Sequence, residues 1–324
     1  MKAIEYAQYG SPEVFQLTEV ATPVPGPEEV LIRVLASTVT AADIMMREGK
    51  PVIGRLYLGV KKPKKTILGF DFAGEIVAIG NQVTTFQVGD RVFGGTTALG
   101  CYAEYVCVNI ADVITTMPEN ITYEEAAPVS ASAITVLNFL KGKAAIRKNQ
   151  KVLINGASGA LGTYAVQYAK HVGAEVTGVC STGNIAMVRS LGADHVIDYT
   201  QTDFTQNGKQ YDIIFDTVGK RSFSACKNSL TQNGIYLSSV INFPLLWHII
   251  LTSLSGGKKA MSSSTGMLPA KQRLAYLTEL KVLLETGKIK TVLDQPYPLA
   301  QMEAAHTYVE KGHKKGNVVV AVYA

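Results

Sequence analysis

The run Val152-Leu153-Ile154-Asn155 delivers the chain into a loop of small residues, Gly156, Ala157, Ser158, Gly159, Ala160, Leu161 and Gly162. Side chains this small let backbone N–H groups approach a pyrophosphate, while the positive end of a following helix faces its charge. The chemistry implied is the holding of a dinucleotide. Ala157 stands where the glycine fingerprint has its first glycine, so the loop draws its weight from its surroundings. Leu161, Ala165, Tyr168 and Val172 recur at helical spacing, and Gly173 is placed to end that helix. A second strand, 175–180, ends roughly 20 residues past the loop, as a dinucleotide-binding βαβ unit requires. A glycine-rich turn that serves only helix–strand packing is the weaker alternative.

The elements that must position this loop alternate along the middle of the chain. Candidate parallel strands at 152–155, 176–180, 195–199, 212–218 and 234–240 are separated by helical segments, the alternation of a doubly wound sheet. The first 120 or so residues read differently, as β-rich and punctuated by glycine, with strands expected at 29–35, 74–79 and 102–108. Thr122, Glu124 and Glu125 suit a helix start, and 131–140 continues in helical pattern. A long helix is expected over 271–285 and a last strand over 318–322.

With 324 residues the chain has ample length for two domains. Its 47% hydrophobic and 18% charged residues are ordinary for a soluble α/β enzyme, and a net charge of +5 singles out no partner. Lys61, Lys62, Lys64 and Lys65 form the basic cluster, read as a solvated loop before an acidic membrane contact. The N-terminal residues show neither a secretory core nor transit-peptide character, so a cytoplasmic location is expected. Cys101, Cys107, Cys180 and Cys226 have no CxxC spacing and are expected as reduced thiols. The greasy stretch 243–254 is too short to span a bilayer. A core helix ranks first among its roles, a substrate-pocket lid second and a peripheral membrane contact third.

Gly69-Phe70-Asp71-Phe72-Ala73-Gly74, Val88-Gly89-Asp90-Arg91-Val92, Tyr102-Ala103-Glu104-Tyr105-Val106, the loop 155–162 and Ser190-Leu191-Gly192-Ala193-Asp194 occur in register. Together they resemble the medium-chain dehydrogenase/reductase superfamily, and within it the zinc-independent quinone oxidoreductases. Residues 55–65 and the run Ser255-Gly256-Gly257-Lys258-Lys259 are most similar to the chloroplast-envelope homologue branch. The resemblance implies an α/β protein, a Rossmann doubly wound parallel sheet joined to a GroES-like β-rich catalytic domain. It places that catalytic domain at 1–122 and again at 268–324, around an NADP-binding Rossmann domain at 123–267. It also implies a homodimer.

Zinc-dependent members carry Cys where this chain has Thr40, and Gly-His-Glu where it has Gly69-Phe70-Asp71. A hydroxyl and a phenyl ring do not supply the donors that zinc needs, and His171, His195, His248, His306 and His313 are scattered, so no metal is expected. Selectivity between nicotinamide cofactors is set at the end of the second strand, where an acid favours NAD. Ser181, Thr182 and Asn184 offer hydroxyl and amide donors there with no acid among them, so NADP(H) is expected. The nearest base, Arg189, is either a phosphate contact or a solvated helix residue.

By the same resemblance, Tyr199 lies at the adenosine end, Thr135 near the nicotinamide and Val240 beside the carboxamide. A strand-end packing role for Tyr199 is an equal alternative, and a helix hydroxyl bonded to its own backbone is the alternative for Thr135. Thr40 is a candidate hydrogen-bond donor to substrate oxygen; Asp43 either assists it or, the favoured role, holds the local loop. Many quinone reductases of the family carry Tyr two residues past this Asp; here it is Met45, which implies a more apolar pocket. The expected reaction is hydride reduction of quinones or other α,β-unsaturated carbonyls, small molecules whose enolates need hydrogen-bond donors and a proton. A non-catalytic NADPH-binding sensor or structural protein is the alternative, and a zinc-dependent alcohol dehydrogenase a lesser one. No aromatic–basic pattern suggests nucleic acid.

Overall fold

The computed structural model describes residues 1–323, with Tyr57 as backbone only. The chain forms two compact units: residues 1–131 with 269–287 and the segment from 291 onward, and residues 132–268 with 288–290. The helical segment 123–131, placed with the Rossmann half by sequence, packs with the first unit. Thr122 caps helix Tyr123–Ala126 in a reciprocal capping box with Glu125. The Thr291 hydroxyl then donates to the Glu125 carbonyl and ties that helix to the returning chain.

The second unit is a six-stranded parallel sheet. Across it lie His195–Asp198, Glu175–Cys180, Lys151–Asn155, Tyr211–Asp216, Leu230–Ser238 and Lys259–Met261. In chain order this is 3-2-1-4-5-6, the doubly wound arrangement with its switch between the first and fourth strands. Val152, Leu153 and Ile154 are fully buried, which is why the first strand reads as a continuous apolar run. Helix Ala160–Val172 follows it and ends on Gly173 in the left-handed region, as the spacing predicts. The edge strand Lys259–Met261 has no alternating apolar pattern and escaped the sequence reading.

One expectation is overturned here. Helix Phe243–Leu254 is not a core helix, since Phe243, Leu246, Trp247, Ile250, Leu251 and Leu254 all face solvent. Apolar content established that the segment is helical and sticky, but only tertiary packing decides which face is covered.

The first unit holds a seven-stranded sheet and a two-stranded hairpin, Lys2–Tyr6 with Phe15–Glu19. Its central strand, Glu29–Thr38, pairs with Asp71–Ile79, Tyr105–Asn109 and Asn317–Ala321. Both ends of the chain therefore meet on one strand. A buried polar chain reinforces this closure. Arg47, fully buried on helix Ala41–Glu48, donates to the Gly10 carbonyl and to His306 Nδ1, and pairs with Glu310. Burial and the neighbouring Arg47 charge push the His306 pKa down to about 3, so the ring is neutral near pH 7. With Nδ1 accepting from Arg47, the proton sits on Nε2, 3.3 Å from the Tyr102 hydroxyl, which in turn donates to the Thr38 carbonyl at 3.0 Å.

Arg47→Ala strands the His306 acceptor and the Gly10 carbonyl, and is expected to cost roughly 3 kcal/mol in urea unfolding. Glu310 is about one-third exposed, so water replaces its partner, and Glu310→Gln is expected to cost under about 1 kcal/mol.

Candidate active site

The phosphate loop is built by backbone constraint. Gly156 leaves the first strand with φ at +82°, a left-handed conformation that glycine adopts without strain. The N–H groups of Gly156 and Ala157 both donate to the Val179 carbonyl on the second strand, at 3.1 and 2.9 Å. Gly162 sits one helical turn in, where a Cβ would lie 2.0 Å from the Gly156 carbonyl oxygen. Ala157 is fully buried and fills the space facing Gly178, where a Cβ would come within 3.1 Å of its own. It therefore serves packing at the position where the fingerprint has its first glycine.

Gly159 caps helix Ala160–Val172 and no side chain bonds the helix N-terminus. The N–H groups of Ala160, Leu161 and their neighbours consequently keep the helix dipole open to an anion. Ser158 completes the loop, its Oγ accepting from Asn184 Nδ2 at 3.2 Å. The same amide group donates to Ser181 Oγ at 3.2 Å, while Asn184 Oδ1 is buried without a partner. Loop and second strand end are thus stitched into one polar surface that retains unused hydrogen-bonding capacity.

Tyr199 lies half-exposed after the third strand, its N–H bonded to the Cys180 carbonyl. Val240 follows the fifth strand, and its N–H and carbonyl both bond Ser238 Oγ. Every sequence-predicted cofactor residue except Thr135 therefore lies at the carboxyl ends of the parallel strands. Thr135 sits half-buried on helix Ser132–Leu137, which packs on helix Ala160–Val172 in the same unit.

Two acids at this end escaped the sequence reading. Asp198, closing the third strand, accepts from the Thr182 hydroxyl and from Thr200, and these hydrogen bonds hold its carboxyl below the usual range. The second strand ends without an acid, and the carboxylate arrives from the third. Thr182 is committed to it and both hydrogens of the Asn184 amide are spent on Ser158 and Ser181, which leaves the Ser181 hydroxyl with a proton to give at this strand end. Asp216, fully buried at the switch point, accepts from Asn155 Nδ2 at 2.9 Å and from the N–H groups of Val218, Gly219 and Arg221. It fixes the turn that walls the loop, since Thr217 and Val218 lie directly against Gly156.

Thr40 and Asp43 belong to the other unit, at the start of helix Ala41–Glu48. They form a reciprocal capping box: the Thr40 hydroxyl and N–H donate to Asp43 Oδ2, and the Asp43 N–H donates to the Thr40 hydroxyl. Asp43 is fully buried, and burial, opposed by the Thr40 hydrogen bonds, pushes its carboxyl up to about 6. Its Oδ1 makes no hydrogen bond of good geometry; the Tyr102 hydroxyl, which donates to the Thr38 carbonyl, lies near enough to favour the charged form.

A second buried acid, Asp71, accepts from Thr38 and Ser130. Burial and the Asp43 charge raise it to about 7. Among the described residues no group of three His, Cys, Asp or Glu is placed to hold a metal ion. Thr40 and Phe70 do not fit a zinc site, and both Asp71 oxygens are engaged by hydroxyls. Met45, which stands where many quinone reductases of the family carry a tyrosine, is half-exposed and offers no proton.

Two family models match the chain. Residues 26–119 match the model of the alcohol dehydrogenase GroES-like domain and residues 191–320 that of the zinc-binding dehydrogenase family. The chloroplast envelope quinone oxidoreductase homolog of Arabidopsis thaliana is 30% identical over 333 residues, covering 99% of this chain and 98% of that protein. The 2-methylene-furan-3-one reductase of Solanum lycopersicum is 29% identical, covering 99% and 79%. The solved structure of Escherichia coli quinone oxidoreductase complexed with NADPH superposes with a TM-score of 0.84, 26% identity and coverage of 99% and 100%.

Two glycines separate folding from binding. A Cβ at Gly162 collides with backbone, so Gly162→Ala is expected to lower thermal stability and dinucleotide affinity together. At Gly159 the nearest atom to a Cβ is 3.5 Å away, so Gly159→Ala is expected to melt like the parent while losing about tenfold in affinity, read by fluorescence titration. For the buried acids, the folded pKa values of about 6 and about 7 exceed the ordinary 3.8. The folded chain therefore holds protons that the unfolded chain has released, and stability falls as pH rises through that window. Asp71→Asn is expected to flatten this decline in urea midpoints measured from pH 4 to 8; an unchanged slope refutes the assignment.

Proposed function

The chain belongs to the medium-chain dehydrogenase/reductase superfamily, and we propose that it is an NADPH-dependent, zinc-independent reductase of quinones or other α,β-unsaturated carbonyls. The observation that carries this reading is the uncapped helix N-terminus at Gly159, built on a 3-2-1-4-5-6 parallel sheet and bordered by Ser181 and Asn184. NADPH, when bound, supplies the hydride. The loop N–H groups hold its pyrophosphate, Gly162 keeps the helix close enough for them to do so, and Tyr199 flanks the adenosine. The Ser181 hydroxyl, positioned by Asn184, donates to the 2′-phosphate. Asp198 stays ionised, its oxygens accepting from Thr182 and Thr200. Thr135 and the backbone at Val240 contact the nicotinamide end.

Thr40 and Asp43 supply the proton side of the reaction. When Asp43 is ionised it holds the Thr40 hydroxyl proton; when it is protonated it donates to Thr40, and the hydroxyl is released to hydrogen-bond a substrate oxygen. A carboxyl raised to about 6 moves between these states near neutrality. Thr40 thus contacts substrate and Asp43 sets the direction of its hydroxyl. The same proposal carries a homodimer, a small-molecule partner and a cytoplasmic location.

Purified protein is expected to oxidise NADPH in the presence of quinones, enals or enones, more efficiently than NADH, and to keep that activity after chelation. Thr40→Val is expected to lower kcat by roughly tenfold to a hundredfold with NADPH affinity unchanged. Tight NADPH binding without turnover across the acceptor panel refutes the reductase reading.

A further inference from the structure

Helix Phe243–Leu254 turns its most apolar face outward. Residues 243, 246, 247, 250, 251 and 254 follow the three-and-four spacing of one helical face and carry Phe, Leu, Trp, Ile, Leu and Leu. Phe243 is 81%, Trp247 57% and Leu254 84% exposed. The helix is well anchored from behind. Leu245 is buried, and the Thr252 hydroxyl donates to the His248 carbonyl and accepts from Ala260 N–H on the edge strand. His248 packs against the Phe223 ring and hydrogen-bonds Ser224. The outward face is therefore held in place, and a continuous apolar surface of this kind marks an interaction site.

The charge around it identifies the partner. From residue 217 to residue 278 the chain contains no Asp or Glu. The part of that stretch in this unit carries Lys220, Lys227, Lys258 and Lys259, besides Arg221, which pairs with Asp203. Lys258 Nζ donates to the Lys227 carbonyl at 2.7 Å, which gathers basic residues at the C-terminal end of the helix. Lys227 and Lys258 line a cleft of about 540 Å³ together with Thr252 and Ser255. A second copy on this face would set one acid-free basic segment against another, so the charge opposes self-pairing. A partner with apolar depth and negative charge complements it. At 12 residues, and thus about 18 Å, the helix is suited to lie along an interface, and among the described residues no helix is long and apolar enough to cross a membrane.

We propose that this face docks on an anionic lipid bilayer, with Phe243, Trp247 and Leu254 among the acyl chains and Lys258 and Lys259 at the lipid phosphates. The docking does not depend on the reaction assigned above. Apolar burial supplies the attachment and the basic residues its preference for anionic headgroups.

Trp247 is the single tryptophan of the chain, so its emission reports on this face alone. The full chain is titrated with vesicles of phosphatidylcholine, with or without phosphatidylglycerol. The mixed vesicles are expected to shift the emission to the blue, and acyl-brominated lipids to quench it. Binding is expected to weaken with added salt and to be lower on phosphatidylcholine alone. The double variant I250D/L254D, checked for native circular dichroism and NADPH affinity, is expected to lose at least about tenfold in vesicle co-sedimentation. K258E/K259E is expected to lose the preference for phosphatidylglycerol. Unshifted emission with protein left in the supernatant overturns the proposal. So does emission already blue-shifted without lipid in a dimer that I250D/L254D dissociates, or a response to an acidic polypeptide but not to vesicles.

Discussion

The contact between Gly162 and the Gly156 carbonyl is the constraint on which the cofactor unit depends. A helix can begin this close to the strand that feeds it only where the side chain is a hydrogen atom. That closeness fixes where the first helical N–H groups point and leaves them without a side-chain cap. The neighbouring parts serve the same geometry. Ala157 fills the space opposite Gly178, Asp216 secures the turn at the switch point, and Asn184 draws Ser158 and Ser181 together. The backbone donors are thus set before any anion arrives, and such a preformed set needs little reorganisation.

The first unit is organised by the opposite problem, the burial of charge. Arg47 is satisfied by Gly10, His306 and Glu310, and its presence keeps His306 neutral and fixes its tautomer. Asp43 and Asp71 are compensated by hydroxyl donors rather than by cations, and both carboxyls rise toward neutrality. A buried acid that titrates near the working pH beside a hydroxyl is a means of moving a proton. The same burial costs stability whenever the acids are ionised. In this reading, the polar chain from Glu310 to Thr38 is what allows the unit to tolerate that cost beside Thr40.

What was legible in the sequence was local. The buried run 152–154, the small-residue loop, the helical spacing to Val172 and Gly173 all follow from periods that a short window contains. Thr122 with Glu125 announced its cap for the same reason. What escaped was long-range. His306 reaches Arg47 across 259 positions, and Asp198 meets Thr182 from a different strand. Thr40 and Asp43 were singled out by motif, yet their mutual capping emerges only from the fold. Helix Phe243–Leu254 shows the limit clearly: composition indicates that a face is apolar but not what covers it.

The position of that helix gives the two halves of the functional reading a common direction. It begins three residues after Val240, so it leaves the sheet at the carboxyl ends of the strands, the end that carries the phosphate loop. Quinones and long-chain enones are apolar enough to concentrate in lipid rather than water. A water-soluble dinucleotide and a lipid-dissolved acceptor meet only where a protein presents one at the surface of the other. An outward apolar helix that starts at the cofactor-binding end of the sheet and runs back beside the edge strand to Lys258 and Lys259, with no acid in it, suits such a meeting, and among the described residues no helix is long and apolar enough to cross the bilayer.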